Sequence, residues 1–284
     1  MNEITKNTTK YKRIGYAADL HLNFLDAEQK EGFYADVRKL SLDGLILAGD
    51  TSVGSMLADD LHKLAMAIDI PIWFTLGNHC WWMDGIEPLR NRLTSAVDRS
   101  PWLHWLDANG PAVLCDAVTL VGVDNWADNP WDRMSRKPKD WLYISDFVGL
   151  STDERLELSK RLSEDAARRL KVSIEAAAKT SHLVLAACHI PPIFPPDKAI
   201  SEECPLPISP ELGSLACGDA ILAVAKRFPD TNFIILSGHL HAPLQWRPLA
   251  NLEIRIARAD YYAPQIDAIF NPLDRVWLSH PHGP

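Results

Sequence analysis

Phe233-Ile234-Ile235-Leu236-Ser237-Gly238-His239-Leu240-His241 is the stretch that decides the fold. An apolar run ends in a glycine and then in two histidines one residue apart. In an extended segment, residues two apart point to the same side, so His239 and His241 can aim two imidazoles at one small volume. The same event occurs four more times. Ile14-Gly15-Tyr16-Ala17-Ala18 ends in Asp19-Leu20-His21, and Leu45-Ile46-Leu47-Ala48 ends in Gly49-Asp50. Ile72-Trp73-Phe74-Thr75-Leu76 ends in Gly77-Asn78-His79, and Leu183-Val184-Leu185-Ala186-Ala187 ends in Cys188-His189.

Outward from these runs, the pattern predicts an α/β fold. A strand from about Lys12 to Ala18, a helix over Ala27 to Leu40 and a strand over Gly44 to Ala48 come first. A helix over Met56 to Ile68, a strand over Ile72 to Leu76 and a helix over Gly85 to Val97 follow. Continuous apolar strands alternating with helices describe a mainly parallel sheet covered on both faces. Short strands at Leu103 to Trp105, Ala112 to Cys115 and Val118 to Val123 then suggest hairpins and a second sheet. The stretch Asp124 to Leu150, with Asn125, Trp126, Pro130, Trp131, Pro138 and Trp141, is too long for a plain connection and reads as a lid or pocket wall.

Ser151-Thr152-Asp153-Glu154 is a capping box. It opens a helix to about Lys179 with Leu158, Leu162, Ala166, Leu170 and Ile174 inward. Pro191, Pro192, Pro195 and Pro196 exclude helix after His189. A helix over Glu211 to Arg227 and a strand over Phe233 to Leu236 follow, then short strands at Leu244 to Arg247, Leu252 to Ala257 and Arg275 to Leu278. With no repeat or linker, residues 12–278 read as one domain between a flexible start (1–11) and a tail (279–284).

A net charge of -8 without a Lys/Arg cluster disfavours long nucleic acid as a partner. Five dispersed cysteines (Cys80, Cys115, Cys188, Cys204, Cys217) read as reduced thiols in a cytoplasmic setting. The first residues lack the apolar core of a signal peptide, and no apolar stretch is long enough to span a bilayer, so no membrane association is expected. Ten tryptophans are a high count. Core packing accounts for most of them, but Trp81, Trp82, Trp126, Trp131 and Trp141 fall in or near loops and could stack on a flat substrate group. The oligomeric state is left open.

In open α/β sheets ligands bind off the carboxyl ends of the parallel strands, where every cluster above sits. Asp19, Asp50, Asn78, His21, His189, His239 and His241 make seven candidate ligands, with His79 beside them. Seven are too many for one tetrahedral ion and suit two ions sharing a carboxylate. Asp50 is the natural bridge, since its two oxygens can serve two ions. The mixed oxygen and nitrogen set fits Mn, Fe, Zn, Co or Ni better than Ca or Mg alone, and it lacks the thiolates of a structural zinc site. Two such ions suit a phosphate. Paired ions about 3.5–4 Å apart can generate hydroxide and hold the attacking and leaving oxygens of an in-line displacement. A protonated His79 would donate to the leaving alkoxide.

These five blocks, in this order from residue 19 to 241, resemble the signature of the calcineurin-like metallophosphoesterase superfamily. The resemblance implies a β-sandwich of two mixed sheets flanked by helices, in four α/β/β/α layers, with a dinuclear centre at its top. It implies one metal on Asp19, His21, Asp50 and His241 and the other on Asp50, Asn78, His189 and His239. His79 would be the general acid or a stabiliser of the transition state. The family commonly has Glu or Asp where this chain has Cys80, which leaves the ligands intact and alters what supports them. No Arg follows Gly49-Asp50-Thr51-Ser52-Val53-Gly54, which argues against the Ser/Thr protein phosphatase branch.

The expectation is therefore a metal-dependent hydrolase of a small-molecule phosphomonoester or phosphodiester, with a nucleotide as one candidate guest. A nuclease or pyrophosphate hydrolase with the same centre is the alternative within the chemistry. A non-catalytic scaffold is the alternative outside it, and it would be expected to lose ligands. His62, His104 and His182 belong to no block and read as structural, and His280 and His282 belong to the tail. Cys80 and Cys188 read as small buried hydrophobes.

Overall fold

A computed structural model of the chain describes residues 11–128, 139–194 and 213–278. The expectations for residues 1–10, Pro130, Trp131, Pro138, Pro195, Pro196, Cys204, Glu211 and the tail with His280 and His282 lie outside the described residues. The strands are β1 (Ile14–Ala17), β2 (Gly44–Ala48), β3 (Ile72–Thr75), β4 (Leu103–Trp105), β5 (Ala112–Cys115) and β6 (Val118–Val123). They continue with β7 (Leu183–Cys188), β8 (Asn232–Ser237), β9 (Leu244–Leu249), β10 (Leu252–Ile256), β11 (Ala268–Asn271) and β12 (Val276–Leu278). The helices are α1 (Ala27–Lys39), α2 (Gly54–Ile68), α3 (Ile86–Asp98), α4 (Leu106–Asn109), α5 (Asp140–Tyr143), α6 (Thr152–Ala178) and α7 (Leu215–Arg227).

Two six-stranded sheets carry the fold, in the orders β12-β11-β1-β2-β3-β4 and β5-β6-β7-β8-β10-β9. In the first sheet β1 to β4 run parallel, and β11 and β12 are added at one edge, each antiparallel to its neighbour. In the second β6, β7, β8 and β10 run parallel, and β5 and β9 are added antiparallel at the two edges. Alternation along each strand sorts the side chains into layers. Ile14, Tyr16, Ile46, Ala48, Leu183, Leu185 and Ala187 meet between the sheets. Their neighbours Ala17, Leu45 and Leu47 face a second cluster with Phe33, Leu57, Leu61 and Leu89 of α1, α2 and α3. Val184, Ala186 and Cys188 face a third with Leu170, Ile174, Ile221 and Val224 of α6 and α7. The order of layers is helix, sheet, sheet, helix, as the resemblance implies.

The capping box at Ser151 forms: Glu154 N–H donates to Ser151 Oγ at 3.3 Å, and Ser151 N–H donates to Glu154 Oε2 at 2.8 Å. Ala166, Leu170 and Ile174 are buried, while Leu158 and Leu162 lie half-buried against the first-sheet cluster.

One expectation is corrected and one strand is added. Leu103–Trp105 does not open the second sheet; it pairs parallel with β3 in the first. Leu103 and Trp105 both face the helix layer, where Trp105 stacks on Phe74 at 6.3 Å. The new sheet begins at β5, after α4 turns the chain. Ala268–Asn271, not among the strands expected from the sequence, is a strand paired antiparallel with β1. Among the described residues, no helix is long and apolar enough to cross a membrane.

Candidate metal centre

Each candidate ligand lies just beyond the carboxyl end of a strand: Asp19 and His21 after β1, Asp50 after β2, Asn78 and His79 after β3, His189 after β7, and His239 and His241 after β8. The pairs two apart converge, but not by strand alternation. Asp19, His21, Asp50, His239 and His241 hold φ of +53°, +44°, +50°, +73° and +53°. Non-glycine residues seldom adopt this region, and such strain persists where surrounding structure enforces it. The enforcing contacts are between loops. Asp19 N–H donates to Gly49 O at 3.1 Å, His21 N–H to Asp50 O at 3.0 Å, and Gly238 N–H to His189 O at 3.0 Å.

Two glycines are required here for different reasons. Gly49 sits at φ +87°, and a Cβ there would also strike the His189 ring. Gly77 has an ordinary extended backbone (φ −106°), so its need is space alone: a Cβ would strike Asp50 Oδ1 and the His189 ring.

Asp19, His21, Asp50 and His189 are almost fully buried. Asp19 Oδ1 lies 3.3 Å from His241 Nε2 and 3.8 Å from the Nε2 atoms of His21 and His189. Asp50 Oδ2 is 3.1 Å from His189 Nε2, and Asp50 Oδ1 accepts from His79 N–H at 2.9 Å. His21 and His241 approach Nε2 to Nε2 at 3.2 Å. Donor atoms gather within 4.8 Å of one another in three overlapping groups: Asp19, His21, His241; His21, Asp50, His79; and Asp19, Asp50, His189. Asn78 and His239 complete the edge, Asn78 Oδ1 being 3.1 Å from His239 Nδ1, with the His239 ring 5.3 Å from that of His189. The structure thus brings together all eight residues singled out from the sequence. His62 and His182 stand exposed, and His104 meets Gly110 O at 2.8 Å, all apart from this cluster.

This donor set fits divalent cations. Asp19 Oδ1, His21 Nδ1, His79 Nδ1 and His189 Nε2 are buried with no aligned hydrogen-bond partner, an arrangement that is costly without a ligand. His189 Nδ1–H donates to Ala48 O at 2.9 Å, which turns Nε2 toward the carboxylates.

The electrostatics are those of a centre built for positive charge. Burial alone would raise Asp50, but His189 and His79 outweigh it and hold the carboxyl well below its usual range. Asp19 is lowered in the same way by His189 and His241 against burial. Burial would lower His189, yet Asp50 and Asp19 raise it to about 9. Burial lowers His79 to about 4 and, with His189, lowers His239 to about 3.

A second layer was not visible in the sequence. Asp140 Oδ1 accepts from Asn78 Nδ2 at 2.9 Å and from Trp82 Nε1 at 2.7 Å. It thereby sets which way the Asn78 amide faces. Trp82 in turn stacks on His79, centroids 3.5 Å apart and planes at 21°. Asp140 lies in the stretch read as a lid or wall, carries no motif, and reaches its partners across about sixty residues. The described parts of that stretch are pinned to the site's rim: Met83 N–H donates to Tyr143 O and Ser145 N–H to Asp84 O, each at 2.8 Å. Cys80 is fully buried, as expected of a small hydrophobe. Tyr261 and Phe24, also missed, approach His21 at 4.7 and 5.9 Å between ring centroids.

A family model described as calcineurin-like phosphoesterase matches residues 12–243. A search of curated protein sequences returns no match. Among solved structures, the chain is similar to a dimetal phosphatase from Danio rerio, at 14% identity and a TM-score of 0.58, covering 92% of this chain and 93% of that one. It is also similar to a phosphopantetheinyl hydrolase from Mycobacterium tuberculosis, at 16% identity and a TM-score of 0.59, covering 89% and 91%. At these identities the likeness is one of fold.

Proposed function

Because the chain belongs to the calcineurin-like phosphoesterase family, we propose that it hydrolyses a phosphomonoester or phosphodiester of a small molecule at a centre of two metal ions. Asp19, His21, Asp50 and His241 would hold one ion, and Asp50, Asn78, His189 and His239 the other. Asp50, like Asp19 and His21, stands in two of the three donor groups. Its two oxygens, which meet His189 Nε2 and the His79 amide separately, suit it to the bridging role. The oxygen and nitrogen donors suit Mn, Fe, Zn, Co or Ni. Bound ions of this kind supply a nucleophile from water at neutral pH and offset charge on the phosphoryl oxygens.

The chain's own residues do the remaining work. Asp19 and Asp50 bring negative charge to a dry pocket, and the left-handed turns hold the imidazoles around it. His79 is best read as a neutral donor, since burial depresses its basicity. Its ring N–H would hydrogen-bond to the charge that develops on the phosphoryl or leaving oxygen, with Trp82 fixing the ring plane. The segment 139–150 forms one wall. A net charge of -8 favours a small guest over long nucleic acid. Free Cys80, Cys115, Cys188 and Cys217 are in keeping with a reducing, cytoplasmic setting.

The observation that carries this reading is the convergence of carboxylates and imidazoles from five strand ends, with Asp19 Oδ1, His21 Nδ1, His79 Nδ1 and His189 Nε2 buried and without an aligned hydrogen-bond partner. Elemental analysis of the purified protein, paired with hydrolysis of bis-p-nitrophenyl phosphate and p-nitrophenyl phosphate with added Mn, tests it. Two ions per chain are expected, with turnover lost in Asp50→Asn and depressed in His79→Ala. A metal-free protein that turns over neither ester with any divalent ion would leave a scaffold as the better reading.

A further inference from the structure

Aromatic rings surround the centre. Among the described residues, the Phe, Tyr and Trp side chains that stand exposed are Phe24, Tyr143, Tyr261 and Tyr262. Every one of them leads to a candidate site imidazole through at most two ring contacts. Tyr261 lies 4.7 Å, centroid to centroid, from both His21 and His241. Phe24 lies 5.4 Å from Tyr261 and 5.4 Å from Tyr262. On the far side, Tyr143 meets Trp82 at 4.9 Å, and Trp82 covers His79.

Scattered exposed hydrophobic residues need no explanation, but convergence on one site does. Rings that serve the core are buried here, as Phe74, Trp105 and Phe270 are. Tyr262 is the opposite case: 64% exposed and at φ +67°. Backbone strain and ring exposure both cost free energy, and packing offsets little of either while most of the residue faces solvent. Strained residues of this kind cluster at ligand sites.

Resting on the phosphoesterase reading of the centre, we propose that the group esterified to the phosphate is a flat aromatic or heteroaromatic ring system that packs among Phe24, Tyr261 and Tyr262. The Phe24 plane stands at 88° to Tyr261 and 54° to Tyr262, so the guest would lie face to face with one ring and edge-on to its neighbour. The phosphate would sit at the imidazoles and carboxylates, and the platform begins one ring away from His21 and His241. Stacking on π faces tolerates many ring systems, so the platform selects a class of substrate rather than one molecule. Tyr261 also meets two imidazoles but stays 41% exposed. Trp82, half-buried with its face against His79 and its Nε1–H given to Asp140, is less suited to the role.

The test compares adenosine 5′-monophosphate with ribose 5-phosphate, which share a primary alkoxide leaving group and differ in the ring. Both are titrated calorimetrically into Mn-loaded His79→Ala protein, where slowed turnover leaves them intact, and kcat/KM is measured for both with the wild type. Adenosine 5′-monophosphate is expected to bind roughly 5- to 150-fold tighter. Adding Tyr262→Ala or Phe24→Leu should cut that ratio about fivefold or more with metal content unchanged, and Tyr262→Trp should keep it. Equal affinities for the two ligands, or a ratio unmoved by both truncations, would overturn the platform. A ring preference in a protein that hydrolyses no phosphoester would support the platform and remove the phosphoesterase reading. Hydrolysis of both esters at equal efficiency and affinity would do the reverse.

Discussion

Replacing Asp140 by alanine should weaken metal binding although Asp140 is no ligand. One oxygen, Oδ1, accepts from Asn78 Nδ2 and Trp82 Nε1 at 2.9 and 2.7 Å. Alanine leaves both donors without that acceptor. An unpaired buried donor costs about 1–3 kcal/mol, so two set a ceiling of about 6 kcal/mol. Two effects lower it. Trp82 is half-buried, so water recovers part of its bond, and the variant relieves a buried carboxyl whose pKa burial has already raised. A net loss of about 2–4 kcal/mol remains, which for a chain of this size lowers Tm by about 3–7 °C. The Asn78 amide, no longer held by its Nδ2, is free to turn its Oδ1 away from His239. Loss of such a supporting contact costs about 10–100-fold in metal affinity. Asparagine at 140 separates acceptor from charge. Because both bonds go to one oxygen, Asp140→Asn can keep them, and it should bind metal within about threefold of wild type. Chelator competition with Mn or Zn, run beside thermal melts, reads both quantities. If Asp140→Ala binds metal as tightly as wild type, the amide needs no such support. If Asp140→Asn falls as far as Asp140→Ala, charge and not hydrogen bonding is what Asp140 supplies.

Other outcomes follow from the same geometry. Adding metal to chelator-stripped protein at a hundredfold excess over Kd should stabilise it by about 2.7 kcal/mol per site, seen as a Tm rise of roughly 5 °C or more; an unchanged Tm would mean that no cation binds the folded state. Gly77→Ala, at a backbone conformation that alanine accepts, should lose about 1–3 kcal/mol and much of its metal affinity because the new methyl displaces Asp50 and His189, whereas a fully loaded, equally stable variant would show that those side chains have room to move. Burial pushes the Cys217 thiol up to about 12 and raises Cys80 and Cys188 as well, so alkylation of the native protein at pH 8 should mark half-buried Cys115 ahead of these three, a ranking that peptide mapping would reverse if the cluster were open.

The sequence was legible where local pattern and tertiary need agree, and opaque where they do not. Apolar runs such as Leu45–Ala48 and Leu183–Ala187 announce strands because each must satisfy a helix layer on one face and the opposing sheet on the other. Leu103–Trp105 is too short to carry a period, and its sheet is decided by Trp105 stacking on Phe74, a contact no local rule foresees. Asp140 and Tyr261 belong to no block, and each acquires its place only when distant loops meet. The convergence of Asp19 with His21 is the instructive case. Spacing by two suggested it on the premise that the chain stays extended. The strand in fact stops at Ala17, and the two side chains meet because both residues adopt left-handed turns locked to the loop that follows Gly49. A strand would carry such a pair on a flat face, open to water on one side. Successive left-handed turns fold the backbone around the donors, so that Asp19 and His21 are almost fully buried and still keep atoms without partners. The strain is therefore tied to burial. Relaxing it would return those donors to solvent, where water would compete with any cation for them.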